Sequence, residues 1–262
     1  SGEWSLRRFI EIASDGRIGQ ATWNTLWTGA LVTCITLPLA FLYAYALERT
    51  CLPLKGLWRL LGLSPLLGPS LIGAIAFIQW FGTQGVLKGM LGEMTIYGPL
   101  GIVMATVFAS FPHALLILSA ALANADARLY EAAEVAGASA WRKFLTVTLP
   151  GARYGVISAA LVVFSYSVSE LGIPKVIGGN FPVLAVDLYV QIVGRQDFGR
   201  GAVLALILLF PVFLAFVIDR LVRKRQHAAL TSRSVPFVPR PDWRRDVFFL
   251  ACCLTLGGAM VA

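Results

Sequence analysis

The sequence predicts an all-α membrane protein, and its composition is the first observation behind that prediction. Of the 262 residues, 57% are hydrophobic and only 14% are charged, whereas soluble domains carry about 25% charged residues. The second observation is the length of the stretches that lack Asp, Glu, Lys and Arg. Residues 18–47, 60–87 and 94–125 are such stretches, and each exceeds the roughly 20 apolar residues that a helix needs to cross a bilayer.

Three further apolar stretches follow in the second half of the chain. Residues 154–173 give a fourth span, residues 201–218 give a fifth, and residues 247–262 begin a sixth that stops early. The polar segment 172–201 holds a short apolar run at residues 183–193, which is too short to span. We expect a loop followed by a short helix there. About five complete spans and a truncated sixth are therefore predicted.

The positions of the Lys and Arg residues predict which side of the membrane each loop faces. If the polar loop 124–150 is cytoplasmic and the spans alternate, 15 of the 22 basic residues lie inside and 7 outside. Cytoplasmic loops carry an excess of basic residues, so this orientation is favoured. The same rule explains the net charge of +8 without a nucleic-acid ligand. The predicted domains are a periplasmic segment 1–21, a transmembrane domain 22–222, a cytoplasmic linker 223–245 and the start of a further transmembrane segment, 246–262.

Helix-breaking residues interrupt several spans. Pro38, Pro112 and Pro211 each remove a backbone donor and can kink a helix, and the segment 64–70 holds two prolines and a glycine near the start of the second span. Carbonyl groups freed at membrane depth must be satisfied by protein or by water. The breaks therefore indicate either ordinary kinks in a helical bundle or a bend that lines a pathway through it.

Polar side chains within the spans are the candidates for lining such a pathway, and they are Gln79, His113, Ser167 and Glu170. An ionisable group in the membrane is a functional candidate by default. The alternatives are that His113 donates to a carbonyl freed by the neighbouring proline, and that Glu170 is a solvated carboxylate at the outer interface. Neither has the partners of a metal site or a proton relay around it in the sequence, and we expect no cofactor or metal in this chain.

The loop 124–150 is predicted to form two short helices joined at a glycine. Asn124 is placed to cap a first helix that starts at the next residue. Gly137 can end that helix in the left-handed conformation that glycine adopts without strain. Ser139 is placed to cap a second helix, and Pro150 to stop it. A water-facing helical hairpin between two apolar spans indicates a role outside the bilayer.

The residue spacing within this loop resembles the motif of a known family. Glu131-Ala132-Ala133 is followed after three residues by Gly137, and after nine more by Val147-Thr148-Leu149-Pro150. This pattern resembles the EAA loop of type I, binding-protein-dependent ABC importer permeases, and it departs from that loop only at Val147, where the family has isoleucine. The resemblance implies the transmembrane fold of these permeases and a multi-pass position in the bacterial inner membrane.

The resemblance also implies partners for this loop. In the family, the loop docks on a cytoplasmic ABC ATPase dimer that binds ATP and Mg, and a periplasmic binding protein and a second permease half complete the system. The chain has no GxxxxGK[ST] sequence that could cradle phosphates, so we expect it not to be an enzyme. The coupling residues implied by the motif are Glu131, Ala132, Ala133, Gly137, Leu149 and Pro150, of which Glu131, Ala133 and Gly137 would lie in a groove of the ATPase.

A second, weaker likeness concerns the solute. Residues 170–179 and 183–189 are similar to permeases for 2-aminoethylphosphonate, a group related to ferric-iron permeases in which two permease halves are often fused in one chain. The resemblance implies a phosphonate as the imported solute, with ferric iron as the second candidate. It also implies that the basic linker 223–245 leads to a fused second half, so that the sequence is a piece of a longer protein.

An ion-coupled secondary transporter is the alternative from another functional class. Such a transporter needs acidic residues near the middle of the membrane, beside broken helices, whereas the acidic residues of this chain lie at the ends of its spans. A structural membrane anchor is a third class. None of the hydrolase or metalloprotease motifs is present, which argues against an intramembrane enzyme.

Overall fold

A computed structural model describes residues 15–91, 95–229, 235 and 237–261, and the regular elements in these parts of the chain are helices. Of the predicted periplasmic segment 1–21, residues 1–14 lie outside the described residues, and the rest is helical from Gly16 onward. The helices before the hairpin are α1 (Gly16–Arg49), α2 (Lys55–Leu63), α3 (Ser70–Phe81), α4 (Lys88–Leu91) and α5 (Pro99–Ala123). Those that follow are α6 (Ala127–Val135), α7 (Ala140–Lys143), α8 (Leu149–Ser169), α9 (Gly172–Ile177), α10 (Leu184–Tyr189), α11 (Phe198–Ala229) and α12 (Trp243–Val261).

Within the described residues, four helical stretches are long and apolar enough to cross a membrane. They are Gly16–Arg49, Pro99–Ala123, Ala140–Ser169 and Phe198–Val222. A fifth is counted if a bent pair forms one span. In that pair, Lys55–Leu67 and Ser70–Phe81 meet at an angle of 99°. The bend lies where the sequence carries two prolines and a glycine, and a short 3₁₀ turn, Ser64–Leu67, ends its first limb. The predicted second span is therefore a broken element rather than one straight helix.

The remaining predicted elements are found close to their expected positions. The apolar run 183–193 forms α10 and a following π-helical turn, Val190–Gly194. The truncated sixth segment is a helix that begins at Trp243 and carries three charged residues in its first turns before the apolar stretch. Pro38, Pro112 and Pro211 lie inside α1, α5 and α11, and each of these helices continues through its proline.

The described residues form two compact units, and those of the first lie in the ranges 15–34, 68–109 and 164–216. One cluster of its core joins α3, α5 and α9 through Ala74, Ile102 and Ile177, among others. Gly101 permits the close approach of α5 and α9, because a Cβ atom there would lie 2.8 Å from Ile177 Cδ1. A second cluster joins the start of α1 to α10 and α11.

The described residues of the second unit lie in the ranges 35–67, 110–163 and 217–261. Tyr43 of α1 is buried at its centre, where its ring meets the edge of Phe111 at 5.7 Å and its hydroxyl donates to the carbonyl of Trp58 at 2.7 Å. Glycines let two helices approach this ring: Gly62 of α2, and Gly257 of α12, where a Cβ would lie 3.2 Å from the Tyr43 hydroxyl. This unit contains the helical hairpin 126–150.

Candidate functional site: the hairpin of residues 126–150

The first helix of the hairpin, α6, begins two residues later than expected from the sequence. Asp126 caps it, because its carboxylate accepts from the backbone N–H of Arg128 at 3.1 Å. The prediction that Asn124 caps the helix is wrong for a local reason. The backbone N–H of Asn124 still donates to the carbonyl of Ala120, so this residue continues the end of α5. Aspartate and asparagine are comparable caps, and the position where the preceding helix ends decides between them.

The end of α6 is formed as predicted, at Gly137. Its φ of +69° is left-handed, and its N–H donates to the carbonyl of Glu134 while that of Ala138 donates to Ala133, both at 2.9 Å. This pair of bonds is the Schellman arrangement that closes many helices. Among the described residues, no atom lies within 4 Å of a Cβ built on Gly137. Glycine is therefore required for its backbone conformation and not for space.

The second limb of the hairpin runs directly into a span. Ser139 caps α7, as predicted, by accepting from the N–H of Arg142 at 3.3 Å. A π-helical turn, Phe144–Thr148, then joins α7 to α8 without a gap. The prediction that Pro150 stops the helix is wrong. Pro150 lies inside the continuous helical stretch Ala140–Ser169, and the wider π turn before it accommodates the hydrogen bond that proline cannot donate.

Most of the motif residues are exposed on the hairpin. Glu131, Ala132 and Gly137 are exposed, Ala133 is half-buried, and Leu149 and Pro150 at the far end of the second limb are also exposed. Large apolar side chains accompany them, with Val135 92% and Trp141 68% exposed. In the part of the chain that the structure describes, nothing buries these side chains. The hairpin therefore presents small and apolar residues to its surroundings.

The opposite face of the hairpin is anchored to the second unit. Tyr130 is buried, and its hydroxyl shares a 2.8 Å hydrogen bond with that of Thr148 in the π turn, which ties the two limbs together. On the second limb, the ring of Phe144 meets the edges of Phe41 and Tyr45 of α1 at 6.0 and 5.9 Å. Both limbs thus have a fixed inner face and an open outer one.

Charged side chains also connect the limbs. Lys143 of α7 donates to the carboxylate of Glu134 in α6 at 2.9 Å, and Arg240 lies 3.4 Å from its other oxygen. The hydrogen bond and the charge of Lys143 hold the pKa of Glu134 below its ordinary value. The ion pair between Lys143 and Glu134 therefore joins the second limb to the first.

Arg49 is the main residue of this region that the sequence analysis missed. It ends α1, its side chain is buried, and its Nη2 donates to the carbonyl of Leu122 at 2.8 Å. The guanidinium lies over two neighbouring aromatic rings, 4.7 Å from the centre of Tyr130 and 4.4 Å from that of Phe237. In the sequence, Arg49 is only one of the basic residues on the predicted cytoplasmic side, because neither ring is close to it along the chain.

The pathway candidates lie on or beside different helices and are divided between the two compact units. Glu170 is half-buried and accepts from Ser70 Oγ at 2.8 Å and from the backbone N–H groups of Gly172 and Ile173. It is thus a bonded carboxylate that joins the starts of α3 and α9, rather than the solvated one expected as the alternative. Gln79 is exposed on α3 and Ser167 half-buried on α8, both in the first unit, whereas His113 is half-buried on α5 in the second.

A comparison with known protein families gives one match. The family model described as "Binding-protein-dependent transport system inner membrane component" matches residues 53–227, which is well over half of the chain. The matched range includes the whole hairpin and the bent pair of helices.

Two curated proteins illustrate the range of relatives. The ferric transport system permease protein FbpB of Actinobacillus pleuropneumoniae is 24% identical over 246 residues, which are 91% of this chain and 35% of that protein. The molybdenum transport system permease protein ModB of Azotobacter vinelandii is 34% identical over 172 residues, which are 64% of this chain and 76% of that protein. The chain therefore spans about a third of the length of the ferric relative.

Among solved structures, the chain is similar to one from a bacterial alginate ABC transporter in complex with an alginate-bound periplasmic protein. The TM-score is 0.67 at 17% identity, with 88% of this chain and 85% of that chain covered. At this identity the likeness concerns the fold, and it agrees with the all-helical membrane architecture.

Proposed function

Since the chain belongs to the family of binding-protein-dependent transport system inner membrane components, we propose that it couples ATP hydrolysis on a partner to solute import through its hairpin. As a member, it is a multi-pass inner membrane permease and not an enzyme. The observation that carries the proposal is the exposed surface around Glu131, Ala132 and Gly137, on a hairpin whose inner face is anchored by Tyr130 and Phe144. A partner can dock there without disturbing the buried contacts.

The second limb provides a direct mechanical connection for this coupling. Residues Ala140–Ser169 form one helical stretch, which is about 45 Å long at 1.5 Å per residue. A displacement at α7 is therefore carried as a movement of the span itself, without an intervening loop. Closing of an ATPase dimer would move the hairpin, and the spans would change between outward and inward access.

The proposed partners follow from the same role. The 262 residues hold no GxxxxGK[ST] sequence that could cradle a nucleotide. The proposed binder of ATP and Mg is therefore a partner, a cytoplasmic ABC ATPase dimer. A periplasmic binding protein delivers the solute, and a second permease half, fused beyond the basic segment 223–245, completes the pathway. The length of the ferric relative, of which this chain covers 35%, supports the fusion.

For the solute, we propose ferric iron as the first candidate and a phosphonate as the second. A relative that matches 91% of the chain is a ferric permease, which supports iron. The likeness of residues 170–179 and 183–189 to 2-aminoethylphosphonate permeases supports a phosphonate. Uptake of radiolabelled ferric iron and of radiolabelled 2-aminoethylphosphonate by intact cells, each measured with and without the unlabelled compounds, distinguishes the two candidates. Only the true solute should be taken up through this chain and be displaced by its own unlabelled form.

Gly137 offers the experiment that tests the coupling role. A β-branched residue at φ +69° is strained, and left-handed backbone costs roughly 1–2 kcal/mol for an L residue. In the full-length chain reconstituted with its ATPase, Gly137→Val should lower ATP-driven uptake about tenfold. Gly137→Asn, which tolerates this conformation, should retain most of it.

Gly151 provides the matched control. It also has open space around a built Cβ, but it lies in α8 with an ordinary backbone, so Gly151→Ala should leave uptake unchanged. Uptake that persists without ATP, driven by an ion gradient, would favour the secondary transporter. Full ATP-driven uptake in the Gly137→Val variant would remove the hairpin from the mechanism.

A further inference from the structure

The segment after α11 contacts the hairpin. We name residues 235 and 237–246 the strap. At its start, the carbonyl of Val235 accepts from the backbone N–H of Ala127 at 3.0 Å, and the N–H of Val235 donates to the carboxylate of Asp126 at 3.4 Å. The first N–H groups of any helix lack a partner within the helix. The strap therefore completes the N-terminal cap of α6.

A side chain of the strap extends this contact to α1. The ring of Phe237 lies 4.7 Å from the ring of Tyr130 and 4.4 Å from the guanidinium of Arg49. Because Arg49 also stacks on Tyr130, the strap, α6 and the end of α1 meet in one group, in which Arg49 and Tyr130 are buried and Phe237 is half-buried. Cation–π contacts are strongest when they are desolvated, and Arg49 is only 2% exposed.

The other end of the strap is fixed to the turn after α1. The thiol of Cys51 donates to the carbonyl of Pro239 at 3.3 Å, and the N–H of Cys51 donates to the carboxylate of Asp246. Arg245 donates to the carbonyl of Arg240 and to Asp246. The strap is thus attached at both ends within the second unit.

Burial of apolar surface does not account for this docking by itself. Val235 is 41% and Val238 78% exposed, so the strap makes few apolar contacts apart from Phe237. A flexible tether has a solvated backbone and no fixed path. The strap instead contacts α6 through backbone hydrogen bonds, through the ring of Phe237 against that of Tyr130, and through an ion pair between Arg240 and Glu134.

We propose that the strap positions the coupling hairpin, with Phe237 as the positioning residue that joins the hairpin to Arg49 and so to α1. The inference rests on the proposed function. Without the strap, α6 is held by its connections along the chain and by Tyr130. With it, a load on the outer face of α6 passes through the stacked rings to the end of α1 as well as along the second limb to α8.

The test uses the full-length chain reconstituted with its ATPase, and it measures solute imported per ATP hydrolysed. Phe237→Ala should still hold the ATPase in a pull-down and hydrolyse ATP, while import per ATP falls about threefold or more, because a desolvated cation–π contact is lost. Phe237→Tyr keeps the ring and should restore import. Val238→Ala, one residue away and exposed, is the control and should behave as the unmodified chain.

Arg240 provides a second variant that leaves the buried group intact. Its exposed guanidinium lies 3.4 Å from Glu134, so Arg240→Glu should repel the strap from α6 and lower import per ATP about twofold. Arg244→Glu makes the same charge change nearby and should have no effect. If Phe237→Ala does not fold, the Arg240 and Arg244 pair decides.

The outcomes separate the two proposals. If the unmodified chain neither holds the ATPase nor requires ATP for uptake, the proposed function fails. If the unmodified chain is coupled and the Phe237→Ala and Arg240→Glu variants import as much solute per ATP, the strap is a passive linker and this inference alone is overturned.

Discussion

Two charged residues near the hairpin are stabilised in different ways. Arg49 is buried against two neighbouring rings and donates to a backbone carbonyl, whereas Glu134 is exposed and pairs with Lys143 and Arg240. Exposed ion pairs contribute little because water and salt screen them. A desolvated cation on an aromatic face contributes about 2 kcal/mol or more. Arg49 should therefore hold the hairpin more strongly than the visible salt bridges do.

The pKa of Glu134 gives a prediction at the residue scale. The hydrogen bond and the charge of Lys143 lower this pKa, so the pairing stabilises the hairpin above the ordinary pKa of glutamate. The stabilisation is lost as the pH falls through the lowered pKa. Lys143→Met should raise the pKa of Glu134 towards its ordinary value, as measured by carbon NMR titration of the labelled carboxyl group.

Arg153→Met is the control for that titration. The Arg153 guanidinium stacks on Tyr154 at 4.6 Å and is not among the groups that shift the pKa of Glu134. The pKa should therefore not move in this variant. An unchanged pKa in Lys143→Met would mean that the 2.9 Å contact does not persist in solution.

At the scale of elements, the hairpin shows which helix signals are reliable in the sequence. Gly137 and Ser139 were predicted correctly, because a left-handed glycine and a serine cap act through their own backbone and side chain. Asn124 and Pro150 were not. Whether a residue caps depends on where the preceding helix stops, and whether a proline ends a helix depends on the turn before it. The π turn Phe144–Thr148 has no sequence signature of its own.

Glu170 gives a prediction at the element scale. Its carboxylate joins the first residue of α3 to the first N–H groups of α9, so Glu170→Ala leaves partly buried donors unpaired. The free energy of unfolding should fall by about 1–3 kcal/mol, which should appear as a lower Tm in detergent. Glu170→Gln keeps an acceptor oxygen and should lose less.

Ser169→Ala is the matched control, since the Ser169 hydroxyl bonds only to carbonyls of its own helix in the described contacts. Its Tm should stay close to that of the unmodified chain. If Glu170→Ala instead keeps its Tm and changes solute affinity, the carboxylate contacts the solute, as the pathway hypothesis required.

At the scale of the whole molecule, the charge distribution and the helices give a topology that can be tested directly. The orientation proposed from the basic residues places the hairpin in the cytoplasm and the segment between α9 and α10 outside. Ser139 and Asn180 are both exposed in the structure. In a chain whose four cysteines are replaced, Ser139→Cys should react with a membrane-impermeant maleimide only from the cytoplasmic side, and Asn180→Cys only from the periplasmic side.

Each variant serves as the control for the other in this labelling, because they differ only in position. If Asn180→Cys were labelled in inverted vesicles and Ser139→Cys were protected there, the topology would be the reverse of the one proposed. It would also remove the hairpin from the reach of a cytoplasmic ATPase.

The sequence predicted the spans and the hairpin but not the long-range contacts that fix them. Charge-free stretches are a local property, and so the positions of α1, α5 and α11 follow from composition. The stacking of Arg49 on Tyr130 and Phe237 requires that three segments distant in the sequence meet. Residues 223–245 were predicted to be a linker. Residues 230–234 and 236 lie outside the described part of the chain, whereas Phe237 and its neighbours are docked on the hairpin and the end of α1. No periodicity within the segment could have indicated that.

The buried position of Arg49 also bears on how the protein is made. Its second ring, Phe237, lies about 190 residues later in the sequence, and at about 5–20 residues per second a ribosome needs roughly 10–40 s to reach it. During that interval Arg49 is a cation at the end of α1 without its second ring, at a position where a positive charge directs the orientation of a nascent segment. The same side chain would therefore first orient the growing polypeptide and, once translation has passed Phe237, be enclosed in the finished protein.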